Sequence, residues 1–131
     1  MKKDIGNRED IILLVDSFYQ KVQLDHAIGH IFNEIIKIAW SHHLPKMYDF
    51  WESLLFGKAT YKGNPMLTHF DINHKIALRT VEFDAWKNLF FTTVDNLFAG
   101  ENAETIKRKA QSIADLMQFK LNEPKSRFNI V

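Results

Sequence analysis

The sequence predicts an all-α protein, and three features of its 131 residues support this fold class. Apolar residues recur every three or four positions along several segments, which is typical of amphipathic helices. No segment alternates apolar and polar residues as a half-buried strand does. Glycines and prolines fall at the ends of the periodic segments, where helices stop. We therefore expect five or six helices around one core, forming a single domain over residues 1–131, with its core at about 8–121 and a C-terminal tail at 122–131.

The first two predicted helices lie in the N-terminal third of the chain. Asn7 can cap the first helix, because its side chain can accept a hydrogen bond from the first turn. The second helix contains Gly29, whose missing side chain would allow another helix to approach closely. Their apolar stripes are Ile11, Leu14, Val15, Phe18 and Val22 for the first helix, and Leu24, Ile28, Ile31 and Ile35 for the second.

The middle of the chain predicts one long helix and one short helix. The long helix covers about Trp40 to Phe56, with Pro45 near its start, where a missing N–H is tolerated. Gly57 is expected to end it. A short helix is expected from Pro65 to Phe70, followed by a loop over residues 71–79.

Two further helices are expected in the C-terminal half. Thr80 can cap the first of them, and Gly100 is a favourable stop after it. The last helix is expected over about residues 102–121, since Pro124 prevents its continuation. The two apolar stripes are Phe83, Trp86, Phe90, Val94 and Leu97, and then Ile106, Ala110, Ile113, Met117 and Leu121.

Charge and composition exclude several function classes. Seventeen Lys and Arg residues against 16 Asp and Glu residues leave a net charge of +1, too small for a nucleic-acid or acidic-membrane footprint. The absence of cysteine excludes disulfides, thiolate zinc sites and a cysteine nucleophile. The polar N-terminus does not resemble a signal peptide, and no apolar run is long enough to span a membrane. We expect a cytoplasmic domain.

Histidine is the candidate metal ligand, because the chain has six histidines and no cysteine. His26 and His30, four residues apart on a helix, could bind zinc as a pair, but a solvated face explains them better without a placed third ligand. His43 lies on the apolar stripe of its helix. His69 ends the short predicted helix in apolar surroundings, where a histidine is more often a core or surface residue than a ligand. The pattern alone leaves its role open.

A series of motifs extends, in order, over about residues 8–121. They are Phe18-Tyr19-Gln20-Lys21-Val22, Trp40-Ser-His-His43-Leu-Pro45-Lys-Met47, Phe50-Trp51, Leu55-Phe-Gly57, Tyr61-Lys-Gly63-Asn-Pro65, His69, Phe83-Asp-Ala-Trp86, Leu89-Phe90 and Thr93-Val94-Asp95-Asn-Leu97-Phe98. Together, and with family-like spacing, they resemble the truncated haemoglobins, specifically their group III. The resemblance implies a truncated-globin fold, a sandwich of two helices on two, that binds haem b.

The same resemblance assigns roles to individual residues. His69 matches the proximal histidine, the metal ligand that binds the haem iron. Tyr19 and Trp86 match the distal residues whose O–H and N–H face a bound ligand, and His43 matches the distal histidine. One position departs from the family pattern: Glu82 stands where many members have a histidine.

The resemblance also implies a set of haem-contacting residues. Phe32, Met47, Phe50 and Trp51 would line or back the pocket, together with Trp86. Lys46, Tyr61 and Arg79 are candidates for contacts with the haem propionates.

These assignments predict binding of O2, NO, CO or similar small ligands at the iron. Tyr19, Trp86 and His43 would be the catalytic residues of a redox turnover such as nitric oxide oxidation or peroxidase-like chemistry, which requires an electron-donor reductase. The alternatives are a sensor or storage globin without turnover, and a haem-free helical interaction module. We expect a monomer or a weak dimer that binds neither nucleic acid nor membrane.

Overall fold

The structure is a computed structural model that describes residues 2–29, 40–57 and 80–121. These ranges contain four α-helices and no strand: α1 (Arg8–Leu24), α2 (Trp40–Phe56), α3 (Thr80–Leu97) and α4 (Glu101–Leu121). Helix α1 packs against α2, and α3 packs against α4. Contacts between α1 and α3, and between α2 and α4, join the two pairs into a sandwich of two helices on two. The predicted all-α fold class is confirmed.

Helix α1 is capped by a side chain at its start and by a backbone N–H at its end. The Asn7 side chain accepts a hydrogen bond from the backbone N–H of Asp10 at 3.0 Å, so the predicted N-cap is confirmed. At the other end, the Asp25 N–H donates to the Val22 carbonyl at 3.1 Å and the chain leaves the helix. Leu24 therefore belongs to α1 and is 83% exposed, whereas we had placed it on the apolar stripe of a second helix.

Gly29 lies where the chain folds back against the end of α1. A Cβ atom at this position would lie 2.8 Å from the Gln23 carbonyl oxygen and 2.9 Å from that of Val22. Both distances are shorter than real Cβ contacts, so only glycine fits without a backbone shift. The expected close approach at Gly29 is confirmed, and its neighbour is the last turn of α1. The stripe residues Ile31 and Ile35 lie outside the described residues.

Helix α2 has the predicted bounds, but Pro45 lies inside it rather than in its first turn. Pro45 is the sixth residue of the helix, beyond the first turn in which a missing N–H has no cost. Pro45 does lie near the start of α2, as expected, but the expected tolerance of its missing N–H holds only for the first four residues of a helix. Gly57 ends the helix with a φ of 73°, and its N–H donates to the Ser53 carbonyl at 2.9 Å.

Helices α3 and α4 are joined at both ends. Thr80 is the first residue of α3 rather than a cap preceding it, and its hydroxyl accepts a hydrogen bond from the Gln118 amide of α4 at 2.7 Å. At the opposite end, Gly100 separates the two helices with a φ of 144°. Helix α3 ends at Leu97, three residues before the predicted stop at Gly100, and α4 starts one residue earlier than expected.

The N-terminal segment packs against the turn between α3 and α4. Ile5 is fully buried, although we expected the core to begin at about residue 8. The Asp4 carboxylate accepts hydrogen bonds at 2.9 Å from the backbone N–H groups of Asn102 and Ala103, in the first turn of α4. Gly100, the residue before this helix, has no side chain with which to cap it, so a distant aspartate performs that task.

One main cluster of buried side chains draws on all four helices. Burial of each large aliphatic or aromatic side chain contributes about 1.5–3 kcal/mol to folding. The predicted stripes supply most of the cluster, so the sequence-based assignment of the core is confirmed for these helices. Its largest fully buried members are Phe18, Phe90, Ile5, Ile11, Leu14, Ile106, Val15, Val22 and Val94.

Candidate functional site

Aromatic rings from three helices meet in one cluster inside the sandwich. Helix α1 contributes the adjacent rings of a Phe-Tyr pair, and α2 contributes those of a Phe-Trp pair. Helix α3 contributes two rings that are four residues apart and therefore lie on one face of that helix. We call this set the aromatic cluster. Its members are Phe18, Tyr19, Phe50, Trp51, Trp86 and Phe90, and ring contacts link them.

Tyr19 brings a hydroxyl group into this apolar cluster. Its side chain is 7% exposed, and its ring lies 4.9 Å from the ring of Phe18, measured between centroids. Burial raises the pKa of the Tyr19 hydroxyl well above its ordinary value, because the phenolate would lose its hydration. The hydroxyl therefore stays protonated and keeps its capacity to donate a hydrogen bond at all physiological pH values.

Trp86 is the second candidate donor, and it lies on α3. Its ring is parallel to that of Phe90, with centroids 5.6 Å apart and an interplanar angle of 7°. Phe18 meets it nearly at a right angle, with centroids 5.7 Å apart. Trp86 is only partly buried. The structure thus brings both predicted distal donors, Tyr19 and Trp86, against one phenylalanine.

Helix α2 supplies the predicted pocket-lining residues. Trp51 is buried and stacks on Phe90 with centroids 4.8 Å apart. Met47 and Phe50 pack against the core while keeping part of their surface exposed. Lys46 is exposed and directly precedes Met47 in α2.

Charged side chains hold α2 against α1 near the aromatic cluster. Arg8 donates to the Glu52 carboxylate at 2.7 Å and contacts the Asp49 carboxylate at 2.9 Å. These hydrogen bonds raise the pKa of Arg8, and the bond to Glu52 has the larger effect. The Glu52 side chain is buried. The Tyr48 hydroxyl donates to the Asp16 carboxylate, and burial together with this hydrogen bond raises the pKa of Tyr48 to about 12.

Glu82, the position that departs from the family pattern, lies in the first turn of α3 and is 5% exposed. A carboxylate is favourable there because the N-terminus of a helix carries a partial positive charge. Phe83 follows it and packs with Ala114 and Met117 of α4 in a smaller apolar cluster. The departure from the family pattern at Glu82 therefore lies at the N-terminus of α3.

Several predicted site residues lie outside the described residues. These are His69, Phe32, Tyr61 and Arg79, and with them the short helix at 65–70 and the loop at 71–79. His43 belongs to the first turn of α2, but its side chain is also outside the described part. The roles of these residues stay predictions.

Two residues of the cluster were not predicted as site residues: Phe18 and Phe90. We had assigned both to apolar stripes, which is correct, since each is at most 1% exposed. A signal for a further role was present in the sequence, because Phe18 precedes Tyr19 directly and Phe90 follows Trp86 by one helical turn.

The described residues fit a flat apolar ligand such as haem. Met47, Phe50 and Trp86 pack against the core cluster that contains Trp51 and keep part of their surface exposed, and Lys46, next to Met47 in the sequence, supplies an exposed cation on α2. In the described ranges no set of three or more His, Asp or Glu side chains is arranged to hold a metal ion. The same ranges contain no helix with the length and apolar character needed to span a membrane.

Comparisons with known proteins agree with this arrangement. The sequence model of the family described as bacterial-like globin matches residues 3–122. The Group 3 truncated hemoglobin ctb of Campylobacter jejuni is 32% identical over 121 residues, which are 90% of this chain and 93% of that protein. The crystal structure of group III truncated hemoglobin from Campylobacter jejuni matches with a TM-score of 0.82 and 32% identity, over 94% of this chain and 97% of that one. The resemblance seen in the sequence is confirmed, and the chain belongs to the bacterial-like globin family, in which it is similar to the group III truncated haemoglobins.

Proposed function

We propose that this protein binds haem b, that His69 would hold the iron, and that the bound haem would take up small diatomic molecules. Membership of the globin family implies haem binding. The observation that carries the rest is the contact of Phe18 with both Tyr19 and Trp86. It gathers two hydrogen-bond donors in one apolar environment, where their interactions with a polar ligand are strong.

Residues of α2 and α3 would hold the haem. Met47 and Phe50 would pack against the macrocycle, with Trp51 behind them, and Trp86 would border the face on which ligands bind. The Lys46 ammonium would neutralise a propionate, and Tyr61 and Arg79 are further candidates for this contact. When bound, haem supplies an iron atom that coordinates the diatomic ligand and exchanges electrons.

The protein's own contribution is to hold donors against the bound ligand and to keep water away. The Tyr19 hydroxyl and the Trp86 indole N–H are both donors, so they favour a ligand that carries partial negative charge. Hydrogen bonds to charged groups contribute about 1.5–3 kcal/mol each. Two of them would retain O2 strongly, which suits a reaction better than transport.

Among reactions, we propose oxidation of nitric oxide by bound O2 or a peroxidase-like turnover, with electrons from a separate reductase. The buried Tyr19 hydroxyl supports this, because a protonated donor in a dry site stabilises charge that develops on the ligand. His43, in the first turn of α2, is the third candidate catalytic residue.

Visible spectra of the haem-reconstituted protein test the haem assignment. We expect a Soret band at one haem per chain, and a changed band in the His69→Ala variant. His74→Ala, in the same part of the chain, is the matched control and should keep the original spectrum. A protein without a Soret band, or with one that His69→Ala leaves unchanged, would instead support a haem-free helical module.

A second measurement separates turnover from storage or sensing. The oxygenated protein is mixed with nitric oxide and a reductant, and nitrate is measured over repeated additions. Sustained nitrate production supports the reaction that we propose. A single stoichiometric event without turnover, together with no peroxide consumption, would favour a sensor or storage globin.

A further inference from the structure

Phe18 is the one described residue that makes ring contacts with both candidate donors. Its ring lies 4.9 Å from that of Tyr19 at an interplanar angle of 61°, and 5.7 Å from that of Trp86 at 87°. A third edge-on contact joins it to Phe90 at 5.2 Å and 81°. The side chain is 1% exposed, so these contacts are protected from solvent.

Edge-on contacts of this kind constrain ring orientation as well as position. The partly positive edge of one ring faces the partly negative face of another, so rotation of either ring weakens the contact. Trp86 is constrained twice, because it also lies parallel to Phe90, which Phe18 contacts in turn. The orientation of the Trp86 indole therefore depends on Phe18 directly and through Phe90.

We infer that Phe18 is a positioning residue that couples the two donors: its ring fixes the directions of the Tyr19 hydroxyl and the Trp86 indole N–H together. This inference rests on the proposed function for the identity of the ligand. Phe18 does not contact the ligand in this arrangement. It acts through its neighbours. Its removal leaves the Tyr19 hydroxyl and the Trp86 indole N–H in place but loosens the orientation of both side chains at once.

The test compares Phe18→Leu with Phe98→Leu. Phe98 is a matched control, because it is also a buried phenylalanine of the main cluster, at 3% exposure, with no ring contact to Tyr19 or Trp86 among the described residues. If Phe18→Leu does not fold, Phe18→Met replaces it, since Met fills the space without a ring.

The first readout is the C–O stretching band of the carbon monoxide complex, which senses donors near the bound ligand. We expect one dominant band in the wild type and in Phe98→Leu, and several bands or a shifted band in Phe18→Leu. The rate of O2 dissociation should rise roughly tenfold in Phe18→Leu, and Tyr19→Phe should then have a smaller effect than it has in the wild type. An unchanged band and rate in Phe18→Leu, or equal changes in both variants, would overturn the inference while leaving haem binding intact.

A second readout needs no haem and so separates this inference from the proposed function. In a Trp40→Phe/Trp51→Phe background, Trp86 is the sole tryptophan, and its time-resolved fluorescence anisotropy reports local motion of the indole. We expect faster local depolarisation after Phe18→Leu and no change after Phe98→Leu. If the local depolarisation rate of Trp86 is the same in Phe18→Leu and Phe98→Leu, the positioning role of Phe18 is contradicted, whether or not haem binds at His69.

Discussion

Trp51 of α2 and Phe90 of α3 stack with ring centroids 4.8 Å apart and an interplanar angle of 24°. The contact lies between the two layers of the sandwich, since α2 belongs to one helix pair and α3 to the other. Phe90 is fully buried and also contacts Phe18 and Trp86. Ring contacts of Phe90 therefore join α1, α2 and α3, and its substitution should affect the stability of the whole fold.

The Phe90→Leu variant should lower the free energy of unfolding by about 1–3 kcal/mol, because it loses three ring contacts and leaves unfilled space. Phe91→Leu is the control, since Phe91 is adjacent but only partly buried, and it should lose less than about 1 kcal/mol. Urea unfolding followed by far-UV circular dichroism measures both values. Equal losses would mean that the stacks add nothing beyond ordinary burial.

Tyr19→Phe should accelerate O2 dissociation roughly tenfold to a hundredfold, because one hydrogen bond to a partly charged ligand is lost. Tyr48→Phe provides a control with the same chemical change at a hydroxyl that binds Asp16 instead. Stopped-flow mixing of the oxygenated protein with excess CO measures the rate. If both variants release O2 at the wild-type rate, Tyr19 is not the distal donor.

Asp4 should make stability depend on acid pH. Although partial burial alone would raise its pKa, hydrogen bonds from the backbone of Asn102, Ala103 and Ile5 lower that pKa below 3.8. The stabilisation is therefore fully present above about pH 4 and is lost as the pH falls through the lowered folded-state pKa. Asp4→Asn should lower the free energy of unfolding by roughly 1 kcal/mol at neutral pH, as the loss of a helix cap does.

The difference in unfolding free energy between wild type and Asp4→Asn should shrink as the pH falls from about 4 through the lowered folded-state pKa, because protonation of Asp4 then leaves both side chains uncharged. Urea unfolding at a series of pH values measures it. Asp84→Asn, at an exposed position on α3, should show a much smaller effect at neutral pH. A gap between wild type and Asp4→Asn that stays constant down to pH 2 would refute the role of the Asp4 charge.

Gly29→Ala should be destabilising by about 1–3 kcal/mol, because its Cβ would meet two backbone carbonyl oxygens that cannot move aside easily. Gly6→Ala is the matched control, since its Cβ would make only an ordinary 3.7 Å contact with the Asp10 carboxylate. Thermal unfolding of both variants checks the prediction. A Gly29→Ala protein as stable as Gly6→Ala would show that the turn after α1 adjusts freely.

Local sequence signals predicted the helices well. Asn7 caps α1 and Gly57 ends α2, since caps and stops act through neighbouring backbone groups, and Gly100 lies in the turn between α3 and α4. The stripes were equally informative, because burial follows helical periodicity. The bounds of α2 were predicted correctly, but Pro45 lies just beyond the first turn, so the helix start does not make its missing N–H free of cost.

Long-range contacts could not be predicted from local patterns. The cap that Asp4 provides for α4 joins residues almost a hundred positions apart, and periodicity does not encode such a pairing. The burial of Glu52 depends likewise on Arg8 of a different helix. The candidate distal residues, Tyr19 and Trp86, were assigned by family resemblance, and their shared contact with Phe18 emerged only in three dimensions.

Chemical rescue of a His69→Gly variant tests the central proposal, haem ligation by His69, most directly. The variant is reconstituted with haem, and its visible spectrum is recorded in the ferrous state with and without added imidazole. We predict an altered spectrum without imidazole and restoration of the wild-type bands with it, because free imidazole can occupy the space of the missing side chain. A wild-type spectrum in the absence of imidazole would contradict the proposal and move the iron ligand to another residue.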